Sequence, residues 1–174
     1  MRKVKPKPGF PVIPDYVHSA ACFFCAAFYG KNDVAHVRDR GIKDVLLVDN
    51  NADKMKTMSG KYPGRWQYMV GDVYEVVKGL PDARYDLVIC DQWTSQMVDV
   101  LGTHFVEFYR VAGSVMILGL TQEWYTRMSG DSSMVTAGAV QDLLESMHGR
   151  SFGSLFLVYR SALCGGCWWV SITK

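Results

Sequence analysis

Residues 45–55 read VLLVDNNADKM. Four apolar residues, Val45 to Val48, run straight into Asp49, and Asn50 and Asn51 follow. Successive strand side chains point to opposite faces, so an unbroken apolar run suits a parallel strand covered on both sides. A carboxylate at the end of such a strand is either a turn former or a group that holds a ligand. The rest of the chain decides between the two.

The same pattern recurs on either side. Residues 20–25 form an apolar run that predicts a first strand. Asp33 is placed to N-cap a helix running to Arg40, with Gly41 as its stop. DVLLVD is the second strand and residues 52–59 a weak helix. WQYMVGD, residues 66–72, is a third strand, and Val73, Val76, Val77 and Leu80 follow at helical spacing until Pro81. YDLVICD, residues 85–91, is a fourth strand. Met97, Leu101, Phe105 and Phe108 line one helix face after it. SVMILGL is a fifth strand, and TQEWYTRMSGDSSM, residues 121–134, reads as a long loop or broken helix. An amphipathic helix spans residues 135–147. SLFLVYR and CWWVSITK, joined by a short connection, then pair antiparallel.

Strands and helices alternate five times before the final hairpin, which predicts an α/β fold with a mostly parallel sheet and helices on both faces. Residues 1–19 form a basic arm and cover segment, and residues 20–174 a single domain. In open α/β sheets ligands bind beyond the carboxyl ends of the strands. Asp49, Asp72 and Asp91 stand at three successive strand ends, which makes them the primary candidates.

Composition narrows the class. A chain of 174 residues, 49% hydrophobic and 21% charged, suits one soluble globular domain. No apolar run approaches the roughly 20 residues of a membrane span. Residues 1–16, MRKVKPKPGFPVIPDY, lack the apolar stretch of a secretion signal. Five cysteines, an odd number, point to a reducing, cytoplasmic setting. Neither CxxC pair is expected to hold zinc. Cys22 and Cys25, three apart in a strand, should face opposite sides, and Cys164 and Cys167 read as a hairpin turn. No metal is therefore expected. A formal charge of +2 does not by itself argue for nucleic acid.

On these residues the chain resembles the class I S-adenosylmethionine-dependent methyltransferases, from about Ala20 to Lys174. VLLVDNNADKM looks like that family's second strand, and GDVYEVVKGLPDARYDLVICD like its third strand end, helix and fourth strand. LVYRSALCGGCWWVSITK resembles its closing strand pair. The resemblance implies a Rossmann-like three-layer sandwich with a seven-stranded sheet in the order 3-2-1-4-5-7-6. It also implies S-adenosylmethionine as cofactor, with Asp49 on the ribose hydroxyls, Asn50 in the loop beside it, Asp72 near the adenine amino group and the Val73 N–H near the ring.

The family's glycine-rich loop, typically GxGxG, is replaced here by AAFYGKN, residues 26–32. It keeps Gly30, with Ala26 and Ala27 as the small residues against the cofactor. Asp91 lies where the family places residues near the reactive methyl, as cofactor contact or general base. Tyr16, His18, Trp93 and Trp124 are the substrate-facing candidates. The sequence does not name the methyl acceptor, which would dock on the 123–128 segment, the N-terminal segment or a partner subunit. Two rivals stand beside this reading: an aminopropyltransferase-like enzyme, and a binding or scaffold protein that kept the fold without turnover.

Overall fold

The alternating apolar pattern builds one seven-stranded sheet in the order β3-β2-β1-β4-β5-β7-β6. The computed structural model describes residues 9–25, 30–62, 66–91, 98–161 and 166–174. Its strands are β1 (Ser19–Phe23), β2 (Asp44–Asp49), β3 (Gln67–Val70), β4 (Tyr85–Cys90), β5 (Ala112–Thr121), β6 (Ser154–Ser161) and β7 (Cys167–Thr173). The described helices are α1 (Gly30–Asp39), α2 (Ala52–Lys61), α3 (Val73–Lys78), α4 (Phe105–Val111), α5 (Gln122–Ser129) and α6 (Ala137–His148). The first five strands pair in parallel, and β7 lies antiparallel between β5 and β6. The fold class and strand order expected from the sequence are those observed.

Both faces of the sheet are covered, and strand alternation divides the core in two. Ala21, Phe23, Leu46, Val48, Val88, Cys90, Met116 and Leu118 pack on one side with residues of α3, α4 and α6. Ala20, Cys22, Val45, Leu47, Leu87, Ile89, Val115 and Ile117 pack on the other with residues of α1 and α2. Phe10, Ile13 and Val17 of the N-terminal segment join this second cluster. Odd and even positions of one strand thus serve two cores, which is why β1, β2 and β4 read as continuous apolar runs.

Four local expectations need correction. The first described helix begins at Gly30, so Asp33 falls inside it rather than capping it. The helix expected around Met97 to Phe108 is divided into a π-helical turn, Val98–Thr103, and α4, with His104 between them. Gly102 and Thr103 are poor helix formers, and the His104 N–H bonds back to the Asp99 carbonyl at 2.8 Å. Met97 lies outside the described residues.

The 121–134 stretch contains a true helix, α5. The Thr121 hydroxyl caps it by accepting from the Trp124 N–H at 3.2 Å, and Gly130 ends it at φ 71°. Buried Trp124 and Tyr125 anchor it to the core. Cys22 and Cys25, finally, are buried in the same cluster rather than on opposite faces. The strand ends at Phe23, and Phe24 turns the backbone at φ 61°. Among the described residues, no helix is long and apolar enough to cross a membrane.

Candidate functional site

Strand register fixes which residues share the carboxyl edge of the sheet. Phe23 of β1 pairs with Val48 of β2 and Cys90 of β4. The next residues, Phe24, Asp49 and Asp91, therefore stand in one row. Strands lie about 4.8 Å apart, so Asp49 and Asp91 are separated by roughly 10 Å across the tip of β1. On the other side Asp49 pairs with Val70, and the Gly71 N–H donates to the Asp49 carbonyl at 3.1 Å. This brings the Gly71–Asp72 corner beside the Asp49 backbone.

Asp49 is only 5% exposed, and its Oδ1 accepts the Asn51 N–H at 2.9 Å. That bond closes the tight turn behind the strand. Asn50 is exposed, and Asn51 N-caps α2 through the Lys54 N–H. Asp72 N-caps α3, its Oδ1 accepting from the Tyr74 and Glu75 N–H groups at 2.8 and 3.2 Å. Val73 is buried at the first helical position, where an N–H has no partner within the helix.

An aromatic group follows. Tyr74 stacks on His104 with centroids 4.1 Å apart and meets Phe24 edge-on at 6.0 Å. Burial, and after it the charges of Asp99, Cys90 and Asp72, pushes the Tyr74 phenol up to about 12. It remains a neutral hydrogen-bonding group at ordinary pH.

Asp91 is 3% exposed and accepts both arms of the Arg160 guanidinium, at 2.6 and 2.9 Å. Arg160, itself 14% exposed, lies over the Trp169 ring at 4.2 Å. Both carboxylate oxygens are thus committed to a bidentate ion pair, and the geometry shows a brace rather than a base. Burial, with the Asp91 charge after it, raises the Cys90 thiol well above its ordinary value and makes it a poor nucleophile.

The remaining candidates fall elsewhere. Tyr16 is 52% exposed and His18 precedes β1, at its amino end. The His18 and Ser19 N–H groups bond the Asp86 carboxylate at 2.8 and 3.0 Å, near the start of β4. These two residues are therefore on the opposite edge from the acidic row, because the 9–18 segment runs along the sheet face shared with α1 and α2 and reaches the amino end of β1 at His18. Trp124 is wholly enclosed in the core, its Nε1 without a hydrogen-bond partner, so it does not face a substrate. Gly30 is the first residue of α1. Ala26, Ala27, Trp93 and the first half of the Cys164–Cys167 turn lie outside the described residues. Among the described residues no group of three His, Cys, Asp or Glu side chains gathers as a metal site.

Sequence reasoning missed Arg160, Phe24, Tyr74 and His104. Arg160 alone left a trace, as the one charge in the otherwise uncharged SLFLVYRS run.

No model of a known protein family matches the sequence, and no curated protein matches it. Solved structures do. A SAM-dependent methyltransferase from Archaeoglobus fulgidus aligns with a TM-score of 0.60 at 12% identity, over 92% of this chain and 87% of that one. One from Aquifex aeolicus gives 0.57 at 15% identity, over 90% and 81%. WbdD, described as a bifunctional kinase-methyltransferase, gives 0.60 at 14% identity, over 88% of this chain but only 35% of its own length. The chain therefore has the fold of class I SAM-dependent methyltransferases.

Proposed function

We propose that the protein is a S-adenosylmethionine-dependent methyltransferase. The observation that carries this reading is the near-buried Asp49 at the tip of β2, held beside the Gly71–Asp72 corner in a sheet of this order. The donor set fits an adenosine. Asp49 supplies acceptor oxygens for a ribose diol. Asp72 spends only Oδ1 on its helix cap, which leaves Oδ2 for an exocyclic amine. The Val73 N–H, without an acceptor in its own helix, suits a ring nitrogen.

When bound, the sulfonium supplies an already activated methyl, so the chain need only position the acceptor and exclude water. Asp49 and Asp72 orient, the Phe24–Tyr74 pair supplies an apolar wall, and the Asp91–Arg160 brace fixes the far side. None of these steps requires a base. Cytoplasmic residence and an acceptor that docks on a separate surface belong to the same proposal.

Titration calorimetry with S-adenosylmethionine and S-adenosylhomocysteine tests it. Asp49→Ala should lose about 1–3 kcal/mol of affinity, from ribose hydroxyls left without an acceptor. An unchanged dissociation constant would remove Asp49 from the site. A second reading, a binding protein without turnover, is favoured by the commitment of Asp91 to Arg160 and by Phe24 standing directly after β1. Failure of both ligands to bind the wild-type chain would select it.

A further inference from the structure

The edge of the sheet opposite the acidic row carries a concave surface. Two adjoining pockets, of about 330 and 370 Å³, share Gly41, Ile42 and Lys43 in the turn between α1 and β2. One extends to Arg38, Lys61 and Trp66, the other to Arg40 and His18. The whole chain is nearly balanced, with 19 basic and 17 acidic residues. The two pockets are lined by four cations, Arg38, Arg40, Lys43 and Lys61, against one acid, Asp15. Two of these cations are neutralised by neighbouring carboxylates, which leaves Lys43 and Lys61 as the net positive charge of the surface.

The cations differ in their commitments. Arg38 bridges Asp39 at 2.5 Å, and Arg40 bridges Asp15. Lys43 and Lys61 are exposed, and neither has an ion pair or hydrogen bond among the described residues. Between them lies an ordered aromatic platform. The half-buried Trp66 donates its indole N–H to the Ile42 carbonyl at 3.2 Å and stacks on Tyr62 with centroids 5.2 Å apart. The hydrogen bond and the stack fix the indole plane, so little freedom is lost when another ring meets it.

We propose that this groove docks single-stranded nucleic acid, with backbone phosphates on Lys43 and Lys61 and a base against Trp66. Cations that track a backbone and an aromatic ring that stacks on unpaired bases are the two elements of such recognition. An acidic protein surface would use the lysines but leave the fixed indole without a role. The groove lies a strand length, roughly 16–20 Å, from the acidic row, so the proposal stands apart from the methyl-transfer reading.

The test is fluorescence anisotropy of a labelled 20-residue oligouridine at 50 mM salt, with intrinsic tryptophan emission as a local readout. Binding should quench emission in the wild type and not in Trp66→Phe. Lys43→Glu/Lys61→Glu should bind at least tenfold more weakly, and its salt slope should fall by about 1.4, from two lost phosphate contacts. Binding of S-adenosylmethionine, if it occurs, should be unchanged in that variant. The proposal is overturned if the wild type fails to bind the oligomer, if the doubly reversed variant binds equally well, or if polyglutamate competes as effectively as oligouridine.

Discussion

Arg160→Met isolates the brace at the tip of β4. It removes the partner of a carboxylate that is 3% exposed while keeping an apolar chain over Trp169. Stranding a buried charge in this way costs about 3–5 kcal/mol. Loss of the guanidinium from the Trp169 face adds roughly 1 kcal/mol. Methionine returns part of this through packing, so a net loss of about 3–4 kcal/mol is expected. In a domain of this size each kcal/mol shifts the midpoint by about 2–4 °C, so Tm should fall by roughly 6–16 °C. The assay is urea and thermal unfolding followed by circular dichroism. Asp91→Asn combined with Arg160→Met removes both charges and should recover at least about 1 kcal/mol relative to Arg160→Met alone. A single variant within 1 kcal/mol of wild type, or a double variant no better than the single, would refute the brace.

Two further substitutions probe the frame. Gly153→Ala would put a Cβ 1.7 Å from the Thr173 carbonyl oxygen, so it should block closure of the β6–β7 pair. We expect a loss above about 3 kcal/mol, or insoluble protein, while Gly138→Ala, with open space around it, should be neutral in the same expression and unfolding assays. His36 stacks on Phe10 at 4.2 Å, and burial lowers its pKa below the ordinary 6.5, against the opposing charge of Asp39. The folded state therefore favours the neutral ring. That contribution is complete above pH 6.5 and is lost as pH falls through the lower folded value. His36→Phe should keep the stack and flatten the acid side of a stability–pH curve, and an unchanged acid limb would exclude His36 as its source.

The strands β1, β2 and β4 were readable because each announces itself by a nearly uninterrupted apolar run, with β2 the clearest case, whereas their order in the sheet followed from the family resemblance. The bounds of β2, Asp44–Asp49, are those of the DVLLVD stretch. The row of acids was readable for the same reason, since register follows from strand ends. What escaped was local or remote in sequence. Thr121 and Gly130 bracket α5 with ordinary caps, but polar residues between them masked a helix anchored by just two aromatics. Arg160 meets Asp91 across 69 residues of chain, and no spacing rule connects them. Tyr16 and His18 were placed at the wrong end because composition does not tell which way a segment runs along a sheet face.

Phe24 makes, with a bulky side chain, a left-handed step that costs an L-residue about 1–2 kcal/mol and a glycine almost nothing. Its N–H still reaches the Val48 carbonyl at 2.9 Å, and its ring is buried, so hydrogen bonding and packing hold the strained step in place. Backbone shape and residue identity have come apart at this corner.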